Sequence, residues 1–187
     1  KYLRRRRGFG LAGGQSTGMD SRCVVLADAA ATAALGAELA QRWLQRAPAG
    51  GAQILLLEGT LGAGKTSLVQ GIAAALGIEE PITSPSFALA QHYGGHCGGL
   101  WGDRPTALVH LDLYRLEQPA AAEELFAQEE EEAQALGALL AVEWPGRLPL
   151  EPEGAWRVEL QLLDPLRPEA GRRALLRLPP DAPATPQ

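Results

Sequence analysis

The residues best suited to chemistry lie in one short run, Gly59 to Thr66, which reads GTLGAGKT. It is a complete G-x-x-x-x-G-K-[ST] signature, the pattern of a loop that cradles phosphate. Gly59, Gly62 and Gly64, with the small Ala63 among them, leave room for backbone N–H groups to converge on a β-phosphate. A helix starting at the end of the loop would add its partial positive charge at the same point. In this chemistry Lys65 reaches the β- and γ-phosphates, the Thr66 hydroxyl binds Mg²⁺, and Ser67 is placed to touch the α-phosphate. The implied ligands are ATP and Mg²⁺. The cation usage singles out the same place: 15 of the 17 basic residues are Arg, and Lys65 is the only Lys after the first residue. A compact ammonium suits phosphate contact in a narrow loop better than a planar guanidinium does.

Such a loop needs acids to hold Mg²⁺ and to place an attacking water. Asp112, in ALVHLDLY, and Glu143, in LLAVEW, close two apolar runs. In a parallel sheet, ligands bind outside the carboxyl ends of the strands, so both acids are expected to face the loop. The sequence leaves open which of them positions the water.

The elements that must carry these residues follow from the hydropathy pattern. A strand at Cys23 to Leu26 precedes Asp28, an N-cap residue, and an Ala/Leu-rich helix running to about Arg46. Ile54 to Leu57 is an unbroken apolar run, as in a strand buried on both faces, and the phosphate loop and a helix ending near Gly77 follow it. Residues 91 to 106 hold five glycines and a proline, which predicts a mobile surface loop. A strand over Leu108 to Leu113, a helix over Ala120 to Leu136 stopped by Gly137, and a strand over Leu139 to Val142 come next. Trp156 to Leu163 and Ala174 to Leu178 read as a β-hairpin. The expected architecture is therefore α/β, a P-loop NTPase-type three-layer sandwich: a mostly parallel sheet, helices on both faces and a C-terminal hairpin. The domain is placed at residues 21–178, between an N-terminal extension (1–20) and a proline-rich tail (179–187) expected to be disordered.

Composition narrows the function classes. A formal net charge of −5 offers no basic face to grip RNA by electrostatics alone, so any tie to RNA must pass through a partner. Two cysteines, Cys23 and Cys97, fit a reducing cytosol rather than a disulfide scaffold. No apolar run approaches the ~18 residues of a membrane span. The Gly-rich stretch after Arg4 to Arg7 gives no export signal, and a cytoplasmic location is expected.

Four motifs together carry a family resemblance. GTLGAGKT, SPSF at Ser84 to Phe87, HLDLYRL at His110 to Leu116 and VEWP at Val142 to Pro145 stand in the order and approximate spacing of the TsaE family. LADAAATAALGAELA before the loop and AGRRALL near the C-terminus extend the match over about residues 22 to 178. The resemblance implies a small ATPase that works with TsaB and TsaD in threonylcarbamoyl transfer to the adenosine beside the tRNA anticodon. It makes Lys65 and Thr66 the phosphate and Mg²⁺ ligands, Glu143 a Mg²⁺ ligand, and Asp112 the acid needed for hydrolysis, through the metal or its water. Ser84, Pro85 and Ser86 match a switch-like SPT segment, with Ser for Thr at 86, and Thr32, Gly171 and Arg172 match stretches bordering the adenosine. Thr60 stands where the family usually has an acid, and the 91–106 segment is longer than usual.

Trp144 has two readings, a ring stacked on a base or partner and a packed rim residue. Arg115 suits either a phosphate contact or an ordinary ion pair. His92, His96 and Cys97 lack a fourth ligand at finger spacing, which disfavours a metal site. The block Glu129 to Glu132 reads as a solvated helix face. Two rivals to the regulatory ATPase are a small-molecule or nucleotide kinase and a nucleotide-dependent scaffold that does not hydrolyse. A kinase usually carries an Arg-rich lid, and the 91–106 segment holds only Arg104. With no obvious arginine finger, hydrolysis by the isolated chain is expected to be slow.

Overall fold

The computed structural model describes residues 20–46, 53–98 and 103–178. The predicted tail falls outside them, as does the predicted N-terminal extension except for Asp20, which begins the first strand. Seven strands form one sheet in the order β1-β7-β6-β2-β5-β4-β3. They are β1 (Asp20–Leu26), β2 (Gln53–Gly59), β3 (Ala90–Cys97), β4 (Arg104–Asp112), β5 (Leu139–Glu143), β6 (Trp156–Leu162) and β7 (Arg172–Leu178). The middle of the sheet, β6-β2-β5-β4, is parallel. The edges are antiparallel: β3 on β4, and the β6–β7 hairpin extended by β1. Helices α1 (Ala29–Arg46), α2 (Lys65–Ala75) and α3 (Pro119–Leu136) complete the fold.

Alternation along the strands divides the core. Leu55, Leu57, Leu108, Leu139 and Ala141 face α1 and α2, where they meet Leu39, Trp43, Leu68 and Ile72. Ile54, Leu56, Val109, Leu111, Leu140 and Val142 face α3 and pack on Ala122 and Phe126. Helices therefore cover both faces, as the pattern predicts. The helix signals hold locally too: Asp28 Oδ1 accepts the Ala31 N–H at 2.7 Å, and Gly137 ends α3 in the left-handed conformation, φ 60°.

The segment 91–106 differs from expectation. Where a mobile loop is predicted, residues 90–97 form the edge strand β3, and β4 begins at Arg104. Its glycine content misleads because one glycine serves packing: a Cβ on Gly95 would lie 2.6 Å from the Leu76 carbonyl and 2.8 Å from Thr106 Oγ1. Residues 99–102 lie outside the described part. Among the described residues, no helix is long and apolar enough to cross a membrane.

Candidate functional site

The phosphate loop is the turn between β2, buried through Ile54–Leu57, and α2. Gly64 holds φ 105°, a region that favours glycine, and passes the chain into the helix at Lys65. A Cβ there would also stand 2.3 Å from Arg172 Nη1. Lys65 curls back over the loop, and its ammonium donates to the carbonyls of Gly59 at 3.0 Å and Thr60 at 3.2 Å. Burial pushes it below the ordinary lysine value, and the nearby carboxylates of Glu143 and Asp112 only partly offset that.

The acids arrive from the neighbouring strands. Asp112 closes β4, Glu143 closes β5, and the two are register partners at the carboxyl end of the sheet. Glu143 Oε1 accepts Thr66 Oγ1 at 3.4 Å, and Oε2 lies 3.9 Å from the Lys65 ammonium. Asp112 Oδ2 accepts the hydroxyls of Ser86 at 2.6 Å and Ser84 at 3.3 Å, and Oδ1 accepts the Tyr114 N–H at 2.9 Å. All these groups line a cleft of about 290 Å³, together with Gly62, Gly64, Ser67, Trp144 and Arg172. The oxygens of Thr66, Glu143 and Asp112 are hard donors, the set Mg²⁺ takes when phosphates and waters complete its shell. Backbone N–H groups at the start of α2 suit an anion.

Trp144 packs on the core and also lines the cleft. It sits at the rim with φ 60°, its ring 4.3 Å from the Lys65 ammonium and 4.9 Å, centroid to centroid, from Tyr114. Arg172 reaches in from β7, and its Nη1 donates to the Ala63 carbonyl at 3.1 Å, tying the loop to the hairpin. Ala63 itself is buried and offers the cleft no side chain.

Other predicted residues stand apart. Thr32 is fully buried in α1, and its hydroxyl is spent on the Asp28 carbonyl at 2.8 Å, so it lies outside the cleft lining. Gly171 packs its backbone against Leu26 and Ala27 of the β1 end, and Pro85 is buried, whereas Ser84 and Ser86 on either side of it line the cleft. Gly59 and Thr60 border a second cleft of about 470 Å³, which shares Trp144 with the first. Arg115 stacks on Phe87, 4.1 Å from the ring centroid, instead of entering the site. Arg104 turns away and donates to the Leu44 carbonyl at 2.9 Å.

The set-aside metal grouping disperses: His92 pairs with Glu129 at 2.6 Å, His96 with Asp103, and Cys97 donates to the Ala75 carbonyl. Glu129 is a correction to the acidic block, since it is 5% exposed rather than solvated. Leu61 and Tyr114 of the cleft lining, and His110 against Glu143, were not singled out from sequence. Strand alternation was the available signal for His110, two residues before Asp112 and so on the same face.

The loop geometry and the doubly covered sheet define a phosphate-loop protein of the α/β class. The chain belongs to the TsaE family: the model of "Threonylcarbamoyl adenosine biosynthesis protein TsaE" matches residues 26–167. Among proteins of that name, the one from Synechocystis is 45% identical over 114 residues, covering 60% of this chain and 65% of its own. The one from Nostoc is 40% identical over 99 residues, covering 53% of this chain and 56% of its own. The match thus spans under two thirds of either relative. The crystal structure of YdiB from Bacillus subtilis superposes with a TM-score of 0.56 at 23% identity, over 87% of this chain and 88% of that one, a likeness of fold.

Proposed function

We propose that this chain is a Mg²⁺-dependent ATPase subunit in the threonylcarbamoyladenosine modification of tRNA, working with TsaB and TsaD in the cytoplasm. One observation carries the reading: Lys65 and Thr66, at the first turn of α2, meet Glu143 and share a cleft with Asp112, two carboxylates brought side by side by strand register. Mg²⁺–ATP supplies the phosphoryl bond to be broken. The chain's part is placement and charge. Lys65 and the loop N–H groups hold polyphosphate, and Thr66 and Glu143 hold the metal. Asp112, kept in one orientation by Ser84, Ser86 and the Tyr114 N–H, is the acid that hydrolysis requires. The cleft exposes Leu61 at its rim, which fits a site completed by partner proteins. With a net charge of −5, contact with tRNA passes through those partners.

The test is steady-state ATP hydrolysis by the chain and by Lys65→Ala, each alone and with TsaB and TsaD. Weak activity that rises with the partners and falls about 10²-fold or more in the variant is the expected outcome. Activity equal in the variant, or indifferent to the partners, would overturn the proposal.

A further inference from the structure

His110 is fully buried on β4, has no part in the chemistry above, and points at its centre. Its Nε2 lies 3.0 Å from Glu143 Oε1, the closest partner that carboxylate has. Register explains the fit. His110 pairs across the strands with Ala141, whose methyl leaves space for an imidazole directly below Glu143, two residues further along β5 on the same face. The ring's other nitrogen, Nδ1, is buried without a hydrogen-bond partner. A proton on Nδ1 would be an unsatisfied buried donor, whereas a proton on Nε2 is satisfied by the carboxylate. Nε2–H is therefore the ring proton that this pocket satisfies, and the histidine donates it to the Glu143 carboxylate.

The other two partners of Glu143 are Thr66 at 3.4 Å and Lys65 at 3.9 Å. Both are the phosphate-loop groups that nucleotide and metal would engage. His110 is the partner of the three with no other task. We infer that His110 is a positioning residue: it holds the Glu143 carboxylate in a fixed rotamer so that this acid meets the metal already oriented. The inference rests on the Mg²⁺-dependent reading of the site. A histidine that only filled core volume would need no donor at this distance from a buried carboxylate.

The experiment measures the ADP affinity of the full chain by calorimetry with and without Mg²⁺, and the Mg²⁺ concentration giving half-maximal ATP hydrolysis. His110→Leu keeps most of the volume and removes the donor; His110→Gln carries its amide nitrogen about as far as Nε2. Removing such an outer partner of a metal ligand typically weakens metal affinity ~10–100-fold. In the Leu variant the half-maximal Mg²⁺ concentration should rise by about 10-fold or more, and the Mg²⁺ gain in ADP affinity should shrink, while Mg²⁺-free ADP binding stays within about 2-fold. The Gln variant should recover most of the effect. In a Glu143→Gln background, His110→Leu should add nothing further. Should His110→Leu not fold, His110→Asn, whose amide stops at the level of Nδ1, carries the same comparison with Gln. Wild-type Mg²⁺ dependence that His110→Leu or His110→Asn leaves intact, or a loss that Gln does not recover, overturns the role of His110 alone. A wild-type chain whose nucleotide binding and hydrolysis ignore Mg²⁺ overturns the proposed function, and this role with it.

Discussion

Gly71→Ala tests how α2, and with it the phosphate loop, is held in place. Helices α1 and α2 touch backbone to backbone through two glycines. A Cβ on Gly71 would lie 1.9 Å from the Ala33 carbonyl oxygen and 2.6 Å from its carbon, and one on Gly36 would lie 2.1 Å from the Leu68 carbonyl oxygen. Real Cβ contacts start near 3.0 Å, so the helices must separate by about 1.1 Å at Gly71, and the obstacle is backbone that cannot rotate away. Two effects oppose each other. Alanine in a helix interior gains about 1 kcal/mol over glycine. Overpacking a close contact costs typically 1–3 kcal/mol, and a clash with backbone belongs at the upper end, about 3 kcal/mol. The net expectation is destabilisation by about 2 kcal/mol, or a Tm lowered by roughly 4–8 °C for a chain of this size. Because α2 opens with Lys65 and Thr66, the same shift should draw them from Glu143 and lower ATP hydrolysis by about 10-fold or more. Gly36→Ala should behave similarly, and the double variant should cost less than the two together, since one separation relieves both clashes. Thermal and urea unfolding of the three variants checks this. A Gly71→Ala chain as stable as wild type, or more so, would mean that propensity outweighs the crossing and would refute the reasoning.

Arg172→Ala should cost about 2 kcal/mol, by loss of a buried charge-assisted bond to the Ala63 carbonyl, and should weaken ADP binding in calorimetry. Lys65→Met should reveal the depressed lysine in the pH dependence of stability. Below both its folded and unfolded values, Lys65 is protonated in either state and the fold bears the burial penalty. As pH climbs past the folded value toward the ordinary one, about 10.4, the folded chain sheds its proton first, and wild type should gain stability relative to Lys65→Met. Urea unfolding of both chains between pH 7 and 10 reads the difference, and a gap that stays constant or moves the other way contradicts it. His92→Ala should cost more than Glu129→Gln because it strands a buried carboxylate, and combining the two should recover part of the loss on urea unfolding. Asp112→Asn should retain nucleotide binding but lose hydrolysis and tRNA modification together; modification at the wild-type rate would favour a scaffold that only binds nucleotide.

Short-range pattern carries much of this molecule. The phosphate loop, the N-cap at Asp28, the stop at Gly137 and the hairpin of β6 and β7 all depend on residues close in sequence, where turn geometry and side-chain period act directly. The edge strand β3 failed the same treatment, because AQHYGGHC shows no clean alternation and Gly95 is needed for contact with Leu76 and Thr106, residues distant in the chain. Glu129 shows the same limit, as its burial depends on a histidine 37 positions away.

Local pattern establishes that a phosphate-cradling loop follows a buried strand and that two acids close apolar strands. Tertiary packing sets the rest: β5 lies between β2 and β4 with Asp112 and Glu143 in register, Arg172 crosses 109 residues to clasp the loop, Thr32 turns into the core, and His110 grips Glu143. Loop and cap preferences are local energies, legible in a few adjacent residues. Strand order and register are set by how the whole hydrophobic surface is buried, and no short stretch of sequence contains that sum.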